Sequence, residues 1–136
     1  MSIEATRIHT RVDGDGERTF LLINGAGQSL HTWDFVVPGL NDLGRVVRFD
    51  VPGVGQSPPP SEPYSFEELG RAALQLVEPH GAGSLIVIGH AWGARAAQVI
   101  ARDHAPDAVV IGSGGGKFPP RASRTDMRTA TAGVDE

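Results

Sequence analysis

The sequence predicts an α/β fold: a mostly parallel sheet with helices on both of its faces. Three observations carry this. Four short apolar runs, Thr19–Ile23, Arg45–Phe49, Ser84–Ile88 and Asp107–Ile111, lack strict alternation and fit strands buried on both faces. Helical or amphipathic stretches separate successive runs, at lengths that suit right-handed βαβ crossovers. Each run also stops at a glycine-containing segment of the kind that turns a strand into the next element.

Taken in chain order, Ala5 to Val12 alternates weakly and meets the turn cluster Asp13-Gly14-Asp15-Gly16. This reads as a short antiparallel strand entering a tight turn. After the first buried run, Leu30 to Leu43 reads as helical, with Trp33, Val36, Val37 and Leu40 at spacings of three and four. Pro38 makes the first part of that segment a separate turn. Ser57 to Pro63 holds four prolines and is an extended loop. Ser65-Phe66-Glu67-Glu68 then matches a capping box, opening a helix whose stripe is Leu69, Ala73, Leu76 and Val77. Gly81-Ala82-Gly83 closes that unit. The third run leads through Gly89-His90-Ala91-Trp92-Gly93 into a helix reaching about His104, with a small-residue face of Ala94, Ala97, Ile100 and Ala101.

Residues 1–112 thus form the expected core. From Gly112 to Glu136 only Phe118, Met127 and Val134 belong to the large apolar set. Residues 113–136 are therefore expected to be a flexible tail with no element joining the core, since ordering each residue costs about 1–2 kcal/mol of backbone entropy.

Composition narrows the function. Val, Leu, Ile and Phe number 34 among 136 residues, enough to build a packed core. The formal net charge of −4 argues against a strongly cationic nucleic-acid or membrane-surface binder. There is no cysteine, hence no disulfide scaffold, thiolate metal site or cysteine nucleophile. The start, Met1-Ser2-Ile3-Glu4, has neither a basic nor an apolar leader region, and the expected location is the cytoplasm. Five histidines without a short-spaced pair give no metal signature, and no cofactor is implied. Gly112-Ser113-Gly114-Gly115-Gly116-Lys117 lacks the spacing and following helix of a phosphate loop.

The informative loop is Gly89-His90-Ala91-Trp92-Gly93. Its outer glycines are spaced as in a G-x-S-x-G nucleophile elbow, and it follows an apolar strand directly. By itself the pentapeptide fits equally well a βα turn whose glycines allow close helix–strand packing. Two further motifs precede it: Leu21-Leu22-Ile23-Asn24-Gly25 followed by Trp33, and Asp50-Val51-Pro52-Gly53-Val54-Gly55-Gln56-Ser57. In this order, each after an expected strand, the three motifs resemble the N-terminal part of the α/β-hydrolase fold superfamily, over about Ala5 to Gly112.

The resemblance implies a shortened α/β-hydrolase fold, a small-molecule ligand or substrate, and roles for particular residues; with the strands that usually follow missing, it also implies an exposed apolar edge at Val109 to Ile111, open to self-association with another chain. The backbone N–H of Ala26 and that of Trp92 would form an oxyanion hole. Asn24, standing where the family has His, would frame that loop with Gly25; Gly89, His90 and Gly93 would frame the elbow. Ala91 occupies the nucleophile position, where the family places Ser, Asp or Cys. After the elbow the chain has only His104, within the expected helix, so no nucleophile–acid–His triad can be assembled. His90 fits packing or hydrogen bonding, while His31 with Trp33 fits either a pocket wall or a helix start.

Three readings follow. The chain is a hydrolase homologue whose inherited activity is hydrolysis of a small ester, amide, epoxide or haloalkane. It is a binding or regulatory module that keeps the pocket floor without the chemistry. Or Ala91 is a nucleophile-to-alanine replacement that traps substrate.

Overall fold

The computed structural model describes residues 3–81 and 83–112 and the backbone of 126–129. Six strands form one sheet in the order β1-β3-β2-β4-β5-β6. They are β1 (Thr10–Asp13), β2 (Thr19–Ile23), β3 (Arg45–Phe49), β4 (Leu85–His90), β5 (Ala108–Gly112) and β6 (Asp126–Thr129). Only β1 runs antiparallel to its neighbour, β3; every other pairing is parallel. Among the described residues three α-helices accompany them, α1 (Val37–Leu40), α2 (Phe66–Val77) and α3 (Trp92–His104).

The four apolar runs become β2 to β5, and the sheet's pleat sorts their side chains onto two faces. Leu21, Ile23, Val47, Phe49, Val87, Val109 and Ile111 point into one cluster with Leu69 and Ala73 of α2 and Ala97 and Ile100 of α3. Phe20, Leu22 and Val46 pack on the opposite face with Trp33 and Val37. Burying each such Leu, Ile or Phe side chain stabilises the fold by about 1.5–3 kcal/mol. Helices α2 and α3 thus cover one face, and the other of the two faces expected to carry helices is covered by the 3-10 turn at Trp33 and the single turn α1.

The capping box closes α2 as read: Glu68 N–H donates to Ser65 Oγ at 3.1 Å and Ser65 N–H to Glu68 Oε1 at 2.8 Å. Over Leu30 to Leu43 the chain forms a 3-10 turn, Leu30–Trp33, and then the single turn α1. Pro38 sits in that turn's first positions, where a missing N–H breaks no bond. β4 runs two residues further than its apolar run, because Gly89 pairs with Ile111 and His90 with Gly112.

Three expectations are corrected: Ala5–Arg7 is a 3-10 turn, so the antiparallel strand begins only at Thr10; the helix expected over 30–43 is reduced to a 3-10 turn and one helical turn; and the expected tail contributes a strand. Residues 126–129 add β6 alongside β5, with Val109 opposite Met127 and Val110 opposite Arg128. The outer side of Val109 to Ile111 is thus a paired strand edge, and the outermost position passes to β6. Backbone hydrogen bonds of a parallel ladder need no apolar side chains, which is why composition did not signal this strand. The rest of the expected tail, 113–125 and 130–136, lies outside the described residues, as does the glycine-rich stretch 113–117.

Candidate functional site

The C-terminal ends of β2, β3 and β4 bring the three motif loops together at one edge of the sheet. In open α/β sheets that edge is where ligands bind. The elbow occupies its centre. Ala91 has φ 53° and ψ −118°, a conformation that L residues rarely adopt. Such strain costs about 1–3 kcal/mol and persists only where surrounding contacts impose it. Here the imposing contacts are visible. Ala91 N–H donates to Gly112 O at 3.0 Å, and Ala94 N–H donates to Ala91 O at 2.9 Å.

The elbow glycines permit the approach that holds this turn. A Cβ at Gly93 would run into the carbonyl oxygens of Ile23 and Asn24, and one at Gly89 would lie 2.6 Å from Gly93 O. The start of α3 therefore rests directly on the end of β2. This close contact sets the start of the first loop, Asn24 and Gly25, beside the elbow. Among the described residues, neither the Ala26 N–H nor the Trp92 N–H donates to a protein acceptor.

Asn24 explains how the first loop keeps its shape. It is fully buried, and its amide donates to Gln28 O at 3.0 Å and to Phe49 O at 2.8 Å. Its Oδ1 accepts the indole N–H of Trp33 at 2.7 Å. The side chain thus bonds on both its nitrogen and its oxygen and ties the loop to β3 and to the following turn. Removing it would leave a buried indole N–H and two carbonyls unpaired, at about 1–3 kcal/mol for an orphaned group.

Asp50 does the same between loops. Its carboxylate accepts Leu30 N–H at 2.7 Å and Gln56 N–H at 2.9 Å. Ser57 Oγ donates to Asp50 O at 2.6 Å, and His9 N–H donates to Ser57 Oγ at 2.8 Å. The second motif is scaffolding for the first.

Sequence reasoning missed Arg48. It lies in an apolar run, yet it is almost fully buried and reaches Leu30 O at 3.1 Å and Asp34 Oδ1 at 2.6 Å. Asp13 approaches it from the other side at 3.6 Å. The Arg48 guanidinium holds the Asp34 carboxyl below its ordinary range against an opposing effect of burial, and His31 at 3.2 Å adds to the lowering. A cation inside an apolar strand is itself the signal, since a buried Arg needs carboxylate or carbonyl partners.

The other expected residues divide clearly. His90 ends β4 half-buried, its ring edge-on to Trp33 with centroids 6.4 Å apart. The Trp92 ring packs on Phe66 at 5.2 Å. His31 is more than half exposed and belongs to the Asp34 pair, whereas Trp33 is core. His104 closes the far end of α3. Two recesses lie elsewhere. One of about 110 Å³ sits between the N-terminal segment and Pro58 to Pro60; one of about 410 Å³ opens at the opposite sheet edge, by Arg71, Glu78 and His104. Among the described residues no group of three His, Asp or Glu can hold a metal, and no helix is long and apolar enough to cross a membrane.

Comparison with known proteins agrees with this geometry. A family model described as the alpha/beta hydrolase fold matches residues 18–122. The chain is 36% identical over 84 residues to a poly(3-hydroxyalkanoate) depolymerase of Ectopseudomonas oleovorans, covering 62% of this chain and 30% of that protein. It is 32% identical over 120 residues to epoxide hydrolase B of Mycobacterium tuberculosis, covering 82% of this chain and 33% of that one. Among solved structures, a hydrolase from Pseudomonas aeruginosa PA01 matches with TM-score 0.72 and 29% identity over 82% of this chain and 43% of its own. The epoxide hydrolase CorEH matches with TM-score 0.71 and 27% identity, over 85% and 44%. The chain thus spans about a third of the length of these curated relatives.

Proposed function

Because the chain belongs to the alpha/beta hydrolase fold family, we propose that it binds a small carbonyl compound at its elbow without forming a covalent intermediate. The backbone N–H groups of Ala26 and Trp92 act as the oxyanion hole, and the carbonyl oxygen of the ligand lies between them. One observation carries this reading: the strained elbow at Ala91 is kept although its side chain is a methyl group. Backbone donors work whatever side chain stands beside them, so polarisation of a bound carbonyl survives the absence of a nucleophile. The covalent step does not, since a methyl group carries no lone pair.

The inherited chemistry of this reading is hydrolysis of a small-molecule ester, amide, epoxide or haloalkane, and its compartment is the cytoplasm. Relatives named as a depolymerase and as epoxide hydrolases support the hydrolytic ancestry. The test uses p-nitroacetophenone, a ketone shaped like p-nitrophenyl acetate. Its addition should shift the backbone amide signals of Ala26 and Trp92 in nitrogen–proton spectra. In parallel, p-nitrophenyl acetate should give no burst of p-nitrophenolate. Unmoved amide signals, or a burst equal to the protein concentration, would sink the proposal.

A further inference from the structure

Asn24 and Gly25 are the only asparagine–glycine pair in the sequence, and both are buried where the first loop leaves β2. Such a pair is chemically labile wherever it is mobile and wet. Glycine has no Cβ, so its backbone nitrogen reaches the preceding side-chain amide carbon unhindered. In the folded chain three hydrogen bonds hold that amide. Its Nδ2 donates to Phe49 O at 2.8 Å and to Gln28 O at 3.0 Å, and its Oδ1 accepts the Trp33 indole N–H at 2.7 Å. Asn24 is also 0% exposed, which keeps solvent base and water from the amide. The pair follows β2, which is hydrogen-bonded to β3 on one side and to β4 on the other. Freeing it requires the centre of the sheet to open, an event of the whole fold and not of one loop.

We propose that Asn24 is a deamidation site gated by unfolding, and that the reaction commits an unfolded copy of the chain to staying unfolded. Base in the solvent removes the Gly25 N–H proton. The nitrogen bonds to Asn24 Cγ, the Cγ–Nδ2 bond breaks, and ammonia leaves with a proton returned by solvent, closing a succinimide. Water then adds to one of the two ring carbonyls and opens the ring to aspartate or isoaspartate. Neither product fits the native position. At neutral pH an aspartate there only accepts hydrogen bonds, so its charged oxygen would face the carbonyls of Phe49 and Gln28, buried and unpaired. An isoaspartate adds a methylene to the main chain just where β2 ends.

The test incubates the full chain in mildly alkaline buffer across a urea series that spans its unfolding, with deamidation followed by peptide mass. Asn41, whose next residue is Asp42, is the internal control, because a side chain there hinders ring closure. Deamidation at Asn24 should track the unfolded fraction seen by circular dichroism and fall about 10²-fold or more from unfolding to native conditions. In full urea it should outpace Asn41, and Gly25→Ala should slow it there, where folding plays no part. After dilution from urea, the refolded fraction should fall in step with the deamidated fraction. Asn24→Asp, which carries one product from the start, should unfold at lower urea than the wild type or not fold at all. Equal rates at Asn24 in native buffer and in full urea would overturn the gate. An Asn24→Asp chain that unfolds at the wild-type midpoint would overturn the commitment.

Discussion

Helix α3 begins and ends on an alanine with positive φ, and the two ends are strained for different reasons. At the C-terminal end Ala105 adopts φ 46° and ψ 61°, the left-handed conformation that commonly terminates helices. Pro106 follows, and Asp107 N–H already donates to Leu85 O at 3.0 Å, so the chain turns directly into β5. At the N-terminal end Ala91 has ψ −118°, outside the left-handed helical well. No local cap explains it, because no side chain caps this helix start. Ala91 is instead held by Gly112 at the end of β5 and by the fit of Gly89 and Gly93 against the backbone. One end is a helix stop. The other is a site.

The largest expected effect breaks the tertiary clamp at the site end. Gly93→Ala drives a methyl into two backbone carbonyls of the segment leaving β2, which cannot move without disturbing the centre of the sheet. The loss should be about 3 kcal/mol in urea unfolding, at the upper end of overpacking costs. A loss below about 1 kcal/mol would show that the start of α3 is free to shift.

Relieving the strain at each end sharpens the comparison. Ala91→Gly should stabilise the chain by about 1–2 kcal/mol and Ala105→Gly by about 1 kcal/mol, both read from urea midpoints. The ordering matters more than either value. A larger gain at Ala105 would mean that the elbow is less strained than the helix stop.

The smallest effect belongs to the C-terminal end alone. Arg102 donates to Asp103 at 2.8 Å and to Glu67 at 2.9 Å, and these bonds lower both carboxyls from ordinary values of 3.8 and 4.5 while raising the guanidinium. Carboxyls lowered in the folded state stabilise it where they are ionised. That contribution is complete above their ordinary values and is lost as pH falls through the lowered folded values. The difference in melting temperature between wild type and Arg102→Ala should thus be small and constant from about pH 6 to 5 and should vanish on further acidification. A difference that grew towards acid pH would reverse the sign of this linkage.

Which of these features could be read from residues alone follows from the range over which each is encoded. The four buried strands, the Ser65 capping box, the turn at Pro38 and the spacing of Gly89 and Gly93 are written within about ten residues, where periodicity, capping and turn chemistry act. The sequence by itself therefore determined the parallel strands and helices α2 and α3, while reading the Gly89–Gly93 turn as an elbow took three motifs in order along the chain. Tertiary structure decided what joins distant segments. Asn24 bonds across 25 residues to Phe49, Arg48 reaches 14 residues back to Asp34, and β6 pairs with β5 through backbone groups that every residue carries. It also decided that Ala91 stays strained: that geometry is imposed by Gly112 and by the carbonyls beyond β2, which meet the elbow only once the sheet has closed around it.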